Sequence, residues 1–170
     1  VMSTLALTVL DTTQIGALTT AGVVALTTRQ AAALGSTQVA GLTTSQIAAM
    51  ETTDFAVMSQ TAIGALSATQ AGKLTTDQLA ALTTSQAGAL TSTALGALSA
   101  AQLGAVETQD IAKLTATAAA GINIANLSTA QLAALSQSAI GGLTTQVEAV
   151  ITMIMDGMLD TQQSLPPVAQ

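Results

Sequence analysis

Residues 42–49 read Leu42-Thr43-Thr44-Ser45-Gln46-Ile47-Ala48-Ala49, and this octad decides the fold. Thr43 followed three residues later by Gln46 is a capping box. The hydroxyl accepts from the backbone N–H of the glutamine, and the glutamine side chain reaches back to the backbone N–H of the cap. Leu42 and Ile47 flank the box at the spacing of a hydrophobic staple. The same box recurs at Thr27/Gln30, Ser67/Gln70, Thr75/Gln78, Thr83/Gln86, Ser99/Gln102 and Ser128/Gln131. Such a cap contributes about 1 kcal/mol. Its recurrence means that each octad starts a helix of its own.

Outward from this octad the period is eight. Large apolar residues hold one phase from Leu10 through Leu18, Leu26, Leu34 and onward to Leu114 and Ile122. The phase slips by three at 123–126 and resumes at Leu127, Leu135 and Leu143. In one continuous α-helix the leucine stripe would drift about 80° per octad and face no single partner. In a strand the inward face would mix Leu, Thr, Gln and Ala, residues that do not favour sheets as a set. The expected fold is therefore all-α: a solenoid of short capped helices, one per octad, with a β-solenoid as the alternative. Helices of about six residues are unstable alone, so stacking must hold them.

The seventh position of the octad is Ala or Gly from Gly16 to Ala120, with Val24 as the exception. That points to a close approach by a neighbouring backbone, and glycine there also eases the exit from a helix. Residues 58–65 resemble residues 90–97, four octads on, which predicts four helices per coil. Residues 1–9 form an atypical N-terminal segment, 10–150 the array, and 151–170 an amphipathic segment with a Pro166-Pro167 tail.

Composition excludes several classes. Charged residues make up 7% of the 170 and the net charge is −6. The three cations, Arg29, Lys73 and Lys113, are scattered, so no nucleic-acid partner is expected. Thr, Ser and Gln interrupt every apolar run, so no membrane span is expected. Val1 to Leu10 carries no charged leader and is not read as a signal peptide. There is no His and no Cys, and the hydroxyls have no base to activate them. No enzyme activity, small-molecule substrate, cofactor or metal is expected. Two acid pairs, Glu51/Asp54 and Glu107/Asp110, occupy the same two positions of their octads. They read as variants of the first helical turn, where anions meet the positive end of the helix dipole, rather than as cation or acid–base sites. Glu148, Asp156 and Asp160 read as a solvated face.

Units such as Leu26-Thr27-Thr28-Arg29-Gln30 and Leu74-Thr75-Thr76-Asp77-Gln78 resemble the LTTxQ-repeat proteins of proteobacteria. The resemblance spans most of the array. It implies a large surface or secreted protein of the kind labelled adhesion or haem-utilisation, hence an extracellular or cell-surface setting. A haem role lacks its ligands here, with Met the only candidate and no His, Tyr or Cys.

The expected function is that of a structural subunit that polymerises with itself, head to tail, into a filament. Apolar residues crowd both ends: Val1, Met2, Leu5, Leu7, Val9 and Leu10 at one, Ile151, Ile154, Met155 and Met158 at the other. A monomeric adhesion or surface-binding module, ice-binding included, is the alternative.

Overall fold

The structure is a computed structural model that describes residues 3–143. Among these residues there are seventeen α-helices, one 3-10 turn and no strand, so the chain is an all-α repeat solenoid. The helices begin with α1 (Thr4–Thr8), α2 (Thr12–Gly16), α3 (Thr20–Val24), α4 (Thr28–Ala32), α5 (Ser36–Gly41) and α6 (Thr44–Ala49). There follow α7 (Thr52–Ala56), α8 (Gln60–Gly64), α9 (Ala68–Ala71), α10 (Thr76–Ala80), α11 (Thr84–Ala87) and α12 (Ser92–Gly96). The last are α13 (Ala100–Ala105), α14 (Thr108–Ile111), α15 (Ala116–Ala119), the 3-10 turn Ile124–Asn126, α16 (Thr129–Ala134) and α17 (Gln137–Gly142).

All seven boxes expected from the sequence form, and Asp11 with Gln14 forms another. Where the glutamine is replaced by alanine the hydroxyl half survives, as when Ser59 caps Ala62 N–H and Thr91 caps Ala94 N–H. Helices such as α4 and α10 end at a residue near φ −90°, ψ 0°, Ala33 (−88°, −7°) and Ala81 (−89°, −1°), whereas α5, α6, α13 and α16 run on to an extended first-position residue such as Leu42 (−65°, 137°). The next cap is extended, for example Thr83 at −79°, 156°, and this pair of states makes the corner. No described residue, glycine included, has positive φ. The glycines are therefore not there to turn the chain.

The stacking corrects the expected coil. α1 packs on α4, α2 on α5, α3 on α6, and the series runs on to α12 on α15. Three helices complete a coil, not four. The likeness of 58–65 to 90–97 joins units on different sides of the stack. The 3-10 turn stands in for a whole helix: α13 packs on it, α14 on α16, and α15 on α17. Thus the slip at 123–126 shortens one unit by three residues without disturbing the stacking. Residues 3–9, set apart by their sequence, build α1 in the ordinary way, with Ser3 as cap and Leu7 buried.

One apolar column runs through the coils. It is made by the first position (Leu34, Leu42, Met50, Met58, Leu66) and the sixth (Ile15, Val39, Ile47, Phe55, Ile63, Leu79), all buried. Each such side chain contributes roughly 1.5–3 kcal/mol on burial, which supplies the stability that helices of four to six residues lack.

The seventh position meets the next coil as the small residues require. A Cβ built on Gly16 would lie 2.8 Å from Gly41 O, on Gly64 3.1 Å from Ala89 O, and on Gly96 3.0 Å from Gly121 O. Closest of all is the eighth position where it is glycine. A Cβ on Gly121 would come within 1.9 Å of Ser92 O, and one on Gly142 within 1.9 Å of Ala116 O.

Candidate functional site

Glutamine at the fifth position is the polar element that joins coil to coil. Its Oε1 accepts from the backbone N–H of its own cap, as Gln78 does from Thr75 at 2.9 Å. Its Nε2 donates downward to two carbonyls at the corner of the coil below. Gln70 donates to Val39 O (2.8 Å) and Leu42 O (2.7 Å), and Gln78 to Ile47 O (2.8 Å) and Met50 O (2.9 Å). Gln38, Gln46, Gln86, Gln102 and Gln131 make the equivalent bonds. Of each pair, the first-position carbonyl (Leu42 O, Met50 O) takes its donor from this amide, whereas the sixth-position carbonyl also accepts a backbone N–H, as Val39 O does from Leu42 at 3.2 Å. A capping box accepts Glu or Gln alike, whereas only the amide can also donate. The uniform choice of Gln over Glu was a legible signal for this second bond.

The ends of the described stack expose what internal coils cover. Sixth-position residues from Leu7 to Ala119 are buried, but Leu132 in α16 is 41% exposed and Ile140 in α17 is 49% exposed. At the other end, Leu10, Leu18 and Leu26 are half-buried where later first-position residues are buried, and the Gln14 side chain is exposed. Of the assembly residues expected from sequence, Leu5 and Val9 are exposed, at 76% and 73%, whereas Leu7 is fully buried beneath its neighbours. Leu7 is therefore core and is not available to a second copy. Val1, Met2, Ile151, Ile154, Met155 and Met158 lie outside the described residues, as do Glu148, Asp156 and Asp160.

The acid pairs sit at the second and fifth positions, so each Asp occupies the place of the stapling glutamine. Asp54 is 2% exposed and Asp110 0% exposed. Asp54 Oδ2 and both carboxylate oxygens of Asp110 have no hydrogen-bond partner. Burial pushes both carboxyls above their ordinary value, and the adjacent Glu51 and Glu107 push them further. Neither glutamate caps its helix through its side chain.

The outer surface is polar and repetitive. Fourth-position hydroxyls from successive coils follow one side of the stack at Thr13, Thr37, Thr61 and Ser85, and another side at Ser45, Thr69, Thr93 and Thr117, all exposed. Among the described residues no group of three or more acids, His or Cys stands together, and no helix is long and apolar enough to cross a membrane.

A family model described as the ALTTAQ repeat matches residues 8–44 and 47–84, and the chain is similar to that repeat family over those segments. Comparison with curated proteins and with solved structures gave no match.

Proposed function

We propose that this chain is a structural rod that joins end to end with copies of itself into a filament outside a bacterial cell. The exposure of Leu132 and Ile140 carries the reading. In each earlier unit the sixth-position side chain is covered by the coil that follows. Every coil repeats one pattern, so the underside of the first described coil is complementary to the top of the last described one. Half-buried Leu10 and Leu18, with the unused amide of Gln14, supply that underside. The contact is head to tail, so it continues from copy to copy unless its rotation closes a ring. Each Leu or Ile covered adds roughly 1.5–3 kcal/mol against the cost of association. With 7% charged residues, repulsion between copies is small.

The extracellular setting rests on the resemblance to LTTxQ surface and secreted proteins. A non-catalytic role is supported by the caps: among the described residues the second-position Thr and Ser hydroxyls are engaged with the backbone of their own helices. Light scattering and negative-stain microscopy of the purified chain test the proposal. Filaments that lengthen with concentration support it, and a chain that stays monomeric at high concentration overturns it.

A second reading is favoured by the hydroxyl rows of Thr13–Ser85 and Ser45–Thr117. A monomeric rod with such rows suits adhesion to an ordered surface, ice included. Binding of a monomeric chain to ice or to a mineral face, lost on Thr37→Leu with Thr61→Leu, is the outcome that selects it.

A further inference from the structure

We propose that the two acid pairs, Glu51 with Asp54 and Glu107 with Asp110, are calcium sites that join coils where the glutamine staple is missing. In the glutamine units an amide sits between the cap below its own helix and two carbonyls of the neighbouring coil. The bonds run 28 and 31 residues back, as from Gln70 and Gln78. By the same offsets Asp54 stands over Leu26 and Val23, and Asp110 over Leu82 and Leu79. An aspartate is one methylene shorter than glutamine and brings an acceptor, not a donor. At those places acceptor would meet acceptor, with no side-chain donor to join the coils.

The buried carboxylates themselves supply the independent observation. Asp110 is fully buried with both oxygens unpartnered, and Asp54 is 2% exposed with Oδ2 unpartnered. An ionised group in such a place is costly unless a counter-charge accompanies it. The three cations, Arg29, Lys73 and Lys113, are exposed, and none donates to these oxygens.

The coupling of the two acids identifies the counter-charge. Asp takes the fifth position only where Glu takes the second, and Glu takes the second only where Asp takes the fifth. The glutamate beside each aspartate favours a counter-charge there, a proton on the aspartate or a cation between the two, and only the cation also uses the glutamate's own oxygens. Two like charges placed together at both sites are relieved by a cation shared between them. The donor set is all oxygen: two carboxylates and backbone carbonyls of the coil below, with water free to enter from the glutamate side. Oxygen-only sets of flexible geometry suit calcium, and they suit softer metals poorly.

The test uses the whole chain, stripped with EDTA and titrated with calcium chloride at neutral pH. Calorimetry should find two sites per chain, and saturating calcium should raise the thermal midpoint by at least about 4 °C. A variant carrying Glu51→Thr, Asp54→Gln, Glu107→Thr and Asp110→Gln restores the common unit at both places. It should bind no calcium and should melt above the stripped parent, because the amide bonds return. Should that variant misfold, Asp54→Asn with Asp110→Asn keeps size and removes charge, and calcium should no longer shift its midpoint. A parent that binds no calcium at millimolar concentration overturns the proposal. So does one stabilised by acid but indifferent to calcium, since protons would then be the only counter-charge. Filament formation is not an observable in this test, so its outcome is separate from that of the assembly reading.

Discussion

The side-chain amide of Gln70 donates to the carbonyl oxygen of Leu42 at 2.7 Å, across 28 residues of chain. With its partner bond to Val39 O at 2.8 Å, it turns a local helix cap into a tie between coils. Both bonds are buried, so their loss strands the Leu42 carbonyl away from water, while Val39 O keeps the backbone N–H of Leu42. Gln78→Ala is expected to cost about 2–4 kcal/mol, because the box and two buried bonds vanish together. Gln14 makes the box but no inter-coil bond among the described residues, so Gln14→Ala loses only the box, about 1 kcal/mol or less. Chemical denaturation of the two variants compares them, and equal losses would remove the inter-coil bonds from the account of stability.

Glycines divide by what lies opposite them. Gly121→Ala would put a methyl within 1.9 Å of the Ser92 backbone oxygen, so the coils must part or the variant must not fold. Gly104→Ala and Gly141→Ala meet nothing within 4 Å. Gly104 lies in α13, which packs on the 3-10 turn. Those two substitutions are expected to gain up to about 1 kcal/mol from reduced backbone entropy. Thermal melts rank the three. A Gly121→Ala protein as stable as the parent contradicts the packing described.

Bulk at the seventh position should matter more than bulk at the fourth. Gly88→Leu pushes a side chain toward Thr84 O and Lys113 O, 3.4 and 3.5 Å from the first added carbon. Overpacking of this kind costs about 1–3 kcal/mol. Ser85→Leu, on the exposed fourth position, is expected to change stability by less than about 0.5 kcal/mol. Denaturation midpoints measured side by side decide this, and similar losses would mean that the inward face is misassigned.

In calcium-free buffer, stability should fall as pH rises. The carboxyls of Asp54 and Asp110 lie above their ordinary value of 3.8 in the folded chain. Folding therefore takes up protons, and stability decreases with pH between the unfolded and folded values. The contribution is complete below about 3.8 and is lost as pH climbs through the raised values. Asp54→Asn with Asp110→Asn should flatten the profile. A parent that grows more stable over that interval contradicts the burial of these groups.

For assembly, Leu132→Asp with Ile140→Asp should give short soluble species where the parent forms filaments. The fold should survive, because both side chains are already half exposed. Leu7→Asp would test nothing about assembly, since Leu7 is core and the substitution unfolds its coil. Analytical ultracentrifugation beside far-UV circular dichroism separates lost assembly from lost fold. Unchanged filaments in the double variant would place the contact elsewhere.

The class of fold and its unit were written in the sequence, and the reason is locality. A capping box acts across three residues, as from Thr43 to Gln46, and a staple across five, as from Leu42 to Ile47, so neither depends on distant chain. The acid pairs could be seen as a repeated pair, but not as buried groups, because burial needs the coil below. The coil itself needed tertiary structure. Whether three or four helices close it depends on the corner angle, set by states such as Ala33 at −88°, −7° and by packing between residues 25 to 31 apart. The likeness of 58–65 to 90–97 misleads on that point, since sequence similarity between units does not report which of them touch. The same limit applies to the glutamine amide, whose partner bond spans 28 residues, and to Gly121, whose need for no side chain comes from Ser92 on another coil. It applies equally to the ends: Leu5, Leu7 and Val9 look alike as apolar residues, and only the stacking of α1 on α4 buries the middle one and leaves the others in solvent.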